Sequence, residues 1–155
     1  MTPAVKLLDK AKVTYQLHNY QHQSSAQSYG LEAAEKLGID SDKVFKTLVT
    51  EVDGNQLVVA IIPVSLKLSL KAVAKMARGK KAIMADPAKV QATTGYVLGG
   101  VSPFGQKKRL NTFIDNSAQA FETIFVSGGK RGLEIETCPA TFEQVLNAKF
   151  GEITA

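Results

Sequence analysis

Residues 44–63, "VFKTLVTEVDGNQLVVAIIP", constrain this chain more than any other stretch. Two runs rich in β-branched residues flank Asp53-Gly54, a pair suited to a tight hairpin turn. The period-2 faces of the first run are Val44/Lys46/Leu48 and Phe45/Thr47/Val49. Both are nearly apolar, so the strand is read as interior, covered on both sides by the rest of the molecule.

Helices and further strands are interspersed around the hairpin. Thr2 followed by Pro3 is a cap with proline at the first helical position, which predicts a helix over 3–11. "VTYQLHNY" alternates with Val13, Tyr15 and Leu17 on one face and Thr14, Gln16, His18 and Tyr20 on the other, as a strand does. Ser28 caps a predicted helix over 29–37 that Gly38 ends. A helix over 69–78, closed by Gly79, and a strand in "KAIMA" follow. Asp86-Pro87 caps another helix that ends before Gly95. "RLNTFIDN", "ETIFVSGG" and "GLEIET" read as three strands. Pro139 opens a last amphipathic helix with Phe142, Val145, Leu146 and Phe150 facing inward. No regular βαβ alternation appears. The expected class is α+β: one domain, with a mixed, strongly curved, barrel-like sheet flanked by helices.

The chain has 155 residues, enough for one domain with a real core. No apolar run approaches the roughly 18 residues of a membrane span. The start alternates charged and apolar residues and lacks a secretory core, so a cytoplasmic protein is expected. One cysteine, Cys138, forms no internal disulfide, and two histidines, His18 and His22, make no metal site alone. No cofactor or metal is expected. The net charge of +5 suits a polyanionic partner without requiring one.

The glycine-rich stretch "GYVLGGVSPFG", residues 95–105, carries one reactive side chain, Ser102. A serine hydrolase uses a G-x-S-x-G turn, with the next residue's N–H serving the oxyanion hole. Here that residue is Pro103, which has no N–H, so Ser102 reads as a serine bonded to its own loop. Cys138 likewise reads as a small packed residue, although it precedes a helix start. The loop is no phosphate loop, because no G-K-[ST] follows. It is either a plain turn or a set of amides: Gly99 and Gly100 permit close approach, Val101 and Ser102 offer N–H groups, and Pro103 stiffens the bend. Lys46, on an apolar strand, must snorkel, pair with a carboxylate, or line a cleft. The pairs Lys80-Lys81 and Lys130-Arg131 and the run Lys107-Lys108-Arg109 read as solvated surface, or as phosphate contacts where one adjoins the glycine loop. Glu134 is a strand carboxylate that faces either solvent or the same cleft.

Taken together, "TPAVKLL", "VFKTLV", "ADPAKVQATTGYVLGGVSPFGQKKRL" and "VSGGKRGLEIE" resemble the YbaK family of aminoacyl-tRNA deacylases, in particular its bacterial members that act on Cys-tRNA(Pro). The resemblance covers almost the whole chain. It implies a partial barrel with surrounding helices, and a free-standing, metal-independent trans-editing hydrolase related to the insertion domain of prolyl-tRNA synthetases. The implied substrates are mischarged proline tRNA and cysteine tRNA, with prolyl-tRNA synthetase as a transient partner and no role for DNA or membrane. The implied catalytic elements are Lys46, which positions the ester or ribose, and the loop from Gly99 to Pro103, with Gly100, Val101 and Ser102 donating amides to the carbonyl. Tyr20, Tyr29, Thr47, Ser127, Gly128, Gly129 and Glu134 are implied to contact substrate. The family also implies attack by the substrate's own thiol. Two other readings fit the residues: a non-catalytic tRNA- or synthetase-binding module, and a water-activating deacylase for alanine.

Overall fold

The computed structural model describes residues 1–23 and 28–155. Its elements are α1 (Pro3–Ala11), β1 (Tyr15–Asn19), α2 (Tyr29–Leu37), β2 (Phe45–Val52), β3 (Gln56–Pro63), α3 (Leu70–Met76), β4 (Ala82–Met84), α4 (Pro87–Thr94), β5 (Asn111–Asp115), β6 (Ile124–Ser127), β7 (Leu133–Thr137), α5 (Pro139–Leu146) and β8 (Lys149–Gly151). Short 3-10 turns precede β2 and follow β5.

The predicted hairpin is the backbone of the fold. β2 and β3 pair in register from Phe45–Pro63 to Val52–Gln56. Asp53 and Gly54 both take positive φ, as the tight turn requires. From Val58 to Ile62 no β3 residue is more than 1% exposed. Each valine or isoleucine among them contributes about 1.5–3 kcal/mol by leaving water. β4 and β2 are antiparallel, while β3, β5 and β8 run parallel, giving a mixed sheet in the order β4-β2-β3-β5-β8.

The chain is α+β, as expected, but the single curved, barrel-like sheet is not what forms. A second, antiparallel sheet, β1-β7-β6, stands apart. One isolated bridge, Val44 to Phe125, links the two. The physical reason is local: β4 pairs only with Thr50–Val52, so the first half of β2 is free to turn toward β6 without completing a ladder.

Caps fall where the sequence places them. Thr2, Ser28, Ser69 and Asp86 each accept a bond from a first-turn amide, a contact worth about 1 kcal/mol. Four details differ. The left-handed residue after α3 is Arg78 rather than Gly79. Gly79 is required by contact, since a Cβ there would lie 2.3 Å from Val52 Cγ1. Phe150 belongs to β8, because Asn147 takes a left-handed conformation and ends α5 first. Leu17 is 42% exposed, since β1 is an edge strand with only β7 beside it. Cys138 is exposed rather than packed, at the cap position of α5.

Candidate functional site

A cleft of about 280 Å³ opens where the two sheets meet. Its walls come from four places: the start of β2, the N-terminus of α2, the glycine loop before β5, and the cleft-facing side of β6 and β7. Lys46, Thr47, Tyr20, Tyr29, Gly99, Val101, Ser127 and Glu134 all line it. These residues are far apart in sequence, and the sheet junction brings them together. Of the other residues expected at the site, Gly100, Ser102, Pro103, Gly128 and Gly129 do not line it.

α2 comes close enough to contribute Tyr29 because the next residue is glycine. A Cβ at Gly30 would lie 2.2 Å from Val64 Cγ1. Ala33 and Ala34 then bury against Val44, Val64 and Phe125. Opposite Tyr29, Gly99 has φ +87, and a Cβ there would sit 2.4 Å from Tyr29 Cε2. The Gly100 N–H donates to Val97 O at 2.9 Å. With Gly99 left-handed at its third position, this is a tight turn of the type II pattern. Gly100 therefore cannot also serve as a free donor, which corrects the expected role of its amide. Ser102 is fully buried, and its Oγ accepts from Phe104 N–H at 3.2 Å, so it is the loop-bonded serine and not a nucleophile. Pro103 lines a separate cavity instead. Gly99 and Val101 line the cleft, and their amides have no acceptor among the described residues.

Gly128 and Gly129 serve packing rather than the cleft. Gly128 O accepts from Thr2 Oγ1 at 2.5 Å. A Cβ at Gly129 would lie 2.8 Å from Tyr96 Cε1. Their turn delivers Lys130 and Arg131 to the cleft instead. Arg131 stacks over the Tyr29 ring, with Cζ 4.1 Å from the centroid, and its Nη2 donates to Leu98 O at 3.0 Å. It thus clasps α2 to the glycine loop. The sequence reading placed Arg131 only among surface cations; its position directly after a glycine pair was the available signal.

The electrostatics of the cleft are those of unpartnered groups. Lys46 forms no salt bridge among the described residues, and burial pulls its amine below the ordinary lysine value. Glu134 is 6% exposed; its carboxyl makes no hydrogen bond among those residues and is pushed up to about 8 by burial. Tyr20 is raised by burial and by the nearby Glu134 carboxyl. Thr47 Oγ1 is buried without a partner among the described residues. A cleft lined by an unpaired lysine, a carboxyl that burial pushes toward its protonated form and amides without acceptors can orient an ester and stabilise charge developing on its oxygen. No group of three or more His, Cys, Asp or Glu side chains among the described residues is placed to hold a metal ion. No helix among them is long and apolar enough to cross a membrane.

Residues 25–144 match the model of the aminoacyl-tRNA editing domain. The chain belongs to that family. It is also 40% identical, over 99% of its length and 93% of the relative's, to EbsC of Enterococcus faecalis, a protein named as a proposed Cys-tRNA(Pro)/Cys-tRNA(Cys) deacylase. Among solved structures, the hypothetical protein APE2540 aligns over 99% of this chain and all of its own, with a TM-score of 0.89 and 19% identity. A proposed trans-editing enzyme for prolyl-tRNA synthetase aligns over the whole of this chain and 99% of its own, with a TM-score of 0.85 and 18% identity. At those identities the two structures establish a shared fold. The resemblance read from the sequence is borne out: this is an editing domain, and Lys46, Thr47 and Glu134, whose side chains have no partner among the described residues, all line the cleft.

Proposed function

We propose that this editing domain is a trans-acting hydrolase that removes cysteine from Cys-tRNA(Pro) and from Cys-tRNA(Cys). The observation that carries this reading is the cleft itself, which gathers Lys46, Glu134, Gly99 and Val101 but, among the described residues, no activated serine or cysteine. The relationship to EbsC supports the substrate class.

In this scheme the aminoacyl ester enters with its carbonyl oxygen toward the loop amides, Val101 foremost. Gly100 is left out because its N–H is already spent on Val97. Ser102 contributes through its backbone alone. Lys46 holds the ester or the terminal ribose and stabilises negative charge on the oxygen. Tyr20, Tyr29, Thr47 and Ser127 shape the acyl pocket, and Glu134 is available to the substrate's polar groups.

The attacking group is the substrate's thiol. Its sulfur bonds to the carbonyl carbon, the ester C–O bond breaks, and the thiol proton passes to the departing ribose oxygen. Water then opens the strained four-membered thioester. A free thiol is a few per cent thiolate at neutral pH and a strong nucleophile. Holding it beside its own carbonyl adds the advantage of proximity. Selectivity follows as well: a pocket that admits cysteine cannot exclude alanine or serine by size, but those esters lack sulfur and survive. Discrimination among tRNAs is borrowed from prolyl-tRNA synthetase in a transient complex.

The deciding experiment is a deacylation panel with Cys-, Ser- and Ala-tRNA(Pro) under a chelator. Release of cysteine alone is expected. Efficient release of alanine would replace thiol attack with water attack, and no release of any amino acid would remove the enzyme reading.

A further inference from the structure

The tip of the glycine loop presents two adjacent apolar side chains to solvent: Val97 is 54% exposed and Leu98 is 61% exposed. No other large apolar side chain among the described residues except Met1 is as open. Leu98 also lines the cleft, so the pair forms part of its rim. Cations stand on both sides. At one side, the Lys107 side chain packs on the loop, where a Cβ at Gly95 would lie 3.2 Å from its Cγ. The Lys107 and Lys108 amides donate to Thr94 O and Thr93 O, both at 3.0 Å, which fixes the two lysines at the loop's neck. At the other side, the Lys130 backbone lies against Gly100, where a Cβ would be 3.1 Å from Lys130 Cα. Lys107, Lys108 and Lys130 form no salt bridge among the described residues.

An apolar step flanked by unpaired, backbone-anchored lysines matches one kind of partner. Phosphates require the cations, and an unstacked base requires a surface from which water is easily removed. We infer that the single-stranded 3′ end of an RNA crosses the Val97–Leu98 tip, with a base against these side chains. Its phosphates lie on Lys107 and Lys108 on one side and Lys130 on the other, and its terminal ribose points into the cleft. This surface rests on the deacylase reading, because an ester on a 3′ end gives the strand a reason to arrive there. Duplex RNA does not satisfy it, since paired bases offer no face to the tip.

The test measures binding, so it is independent of turnover. A labelled RNA hairpin with a short single-stranded 3′ overhang, and the same hairpin blunt-ended, are titrated by fluorescence anisotropy at several salt concentrations. Wild type is expected to prefer the overhang. Lys107→Ala with Lys108→Ala is expected to weaken overhang binding roughly tenfold and to flatten the log K against log salt slope by about 1.4, the value for two single-strand phosphates. Val97→Ser should weaken it a few-fold at unchanged slope. All variants are at exposed side chains, and matching melting curves confirm folding. Equal affinity for both hairpins, or equal losses on both, overturns the proposal. So does a concentration-dependent dimer that Val97→Ser dissolves, which would assign the tip to a second copy. Overhang preference without any hydrolysis of Cys-tRNA by wild type would sink the deacylase reading while keeping the surface; hydrolysis without overhang preference would do the reverse.

Discussion

Glu134 and Glu136 stand two residues apart on β7, on the same face, and live differently. Glu136 accepts from Thr123 Oγ1 at 2.5 Å and lies 2.8 Å from His18 Nε2. These hydrogen bonds outweigh its desolvation and hold its carboxyl below the ordinary value. Glu134 has desolvation and nothing to offset it. Within one strand, one carboxylate is consumed by the fold and the other is left open. The same division separates Lys89, which reaches Glu51 at 3.1 Å, from the unpaired Lys46. An unpaired buried polar group costs stability, so the groups left open in the cleft are the ones whose partner is expected to be the substrate.

This contrast can be broken by mutation. The largest effect is expected at Lys46: Lys46→Ala should lower deacylation by at least about a hundredfold, the scale of one lost oxyanion contact, with no loss of melting temperature. An active Lys46→Ala variant would place lysine outside the chemistry.

Glu134 supplies the next test. Its carboxyl has an ordinary value of 4.5 and is raised to about 8 in the fold. A raised value means the folded state keeps its proton where the unfolded chain loses it. The associated stability is full below about 4.5, then declines by about 1.4 kcal/mol per pH unit as pH climbs toward 8. Glu134→Gln removes this dependence. Wild type and variant should melt together near pH 4.5 and diverge by pH 8, with the variant higher. Parallel melting profiles would show that Glu134 is partnered after all.

Glu136→Gln should do the opposite. It weakens a satisfied network and is expected to cost about 1–2 kcal/mol, a melting shift of several degrees, while the folded protein keeps its turnover. A loss of turnover without a melting shift would move Glu136 into the site. Arg131→Lys should have the smallest effect: without a planar group to stack on Tyr29 and hold Leu98 O, KM should rise several-fold with kcat nearly kept. Unchanged kinetics would make the clasp decorative.

Much of the fold was legible. Local signals fix local geometry: Asp53-Gly54 set the hairpin, and Thr2, Ser28 and Asp86 set helix starts, because caps and turns involve groups a few residues apart. β8 was missed, since three residues carry little periodicity and its pairing with β5 is entirely tertiary. The division into two sheets was missed for the same reason: ladder partners are chosen by chain segments distant in sequence.

For the site, the chain by itself determined the inventory: a lysine on an apolar strand, a glycine loop whose serine precedes proline, and a strand glutamate. Only the tertiary structure decided which of these remain available. It spent Gly100 on Val97 and Ser102 on Phe104, turned Gly128 and Gly129 to packing, raised Arg131 from surface cation to clasp, and left Lys46 and Glu134 without partners. Residue type fixes what a group can bond. Whether a bond is already made depends on which distant atoms the fold brings within about 3 Å, and that information lies in the packing of the whole chain.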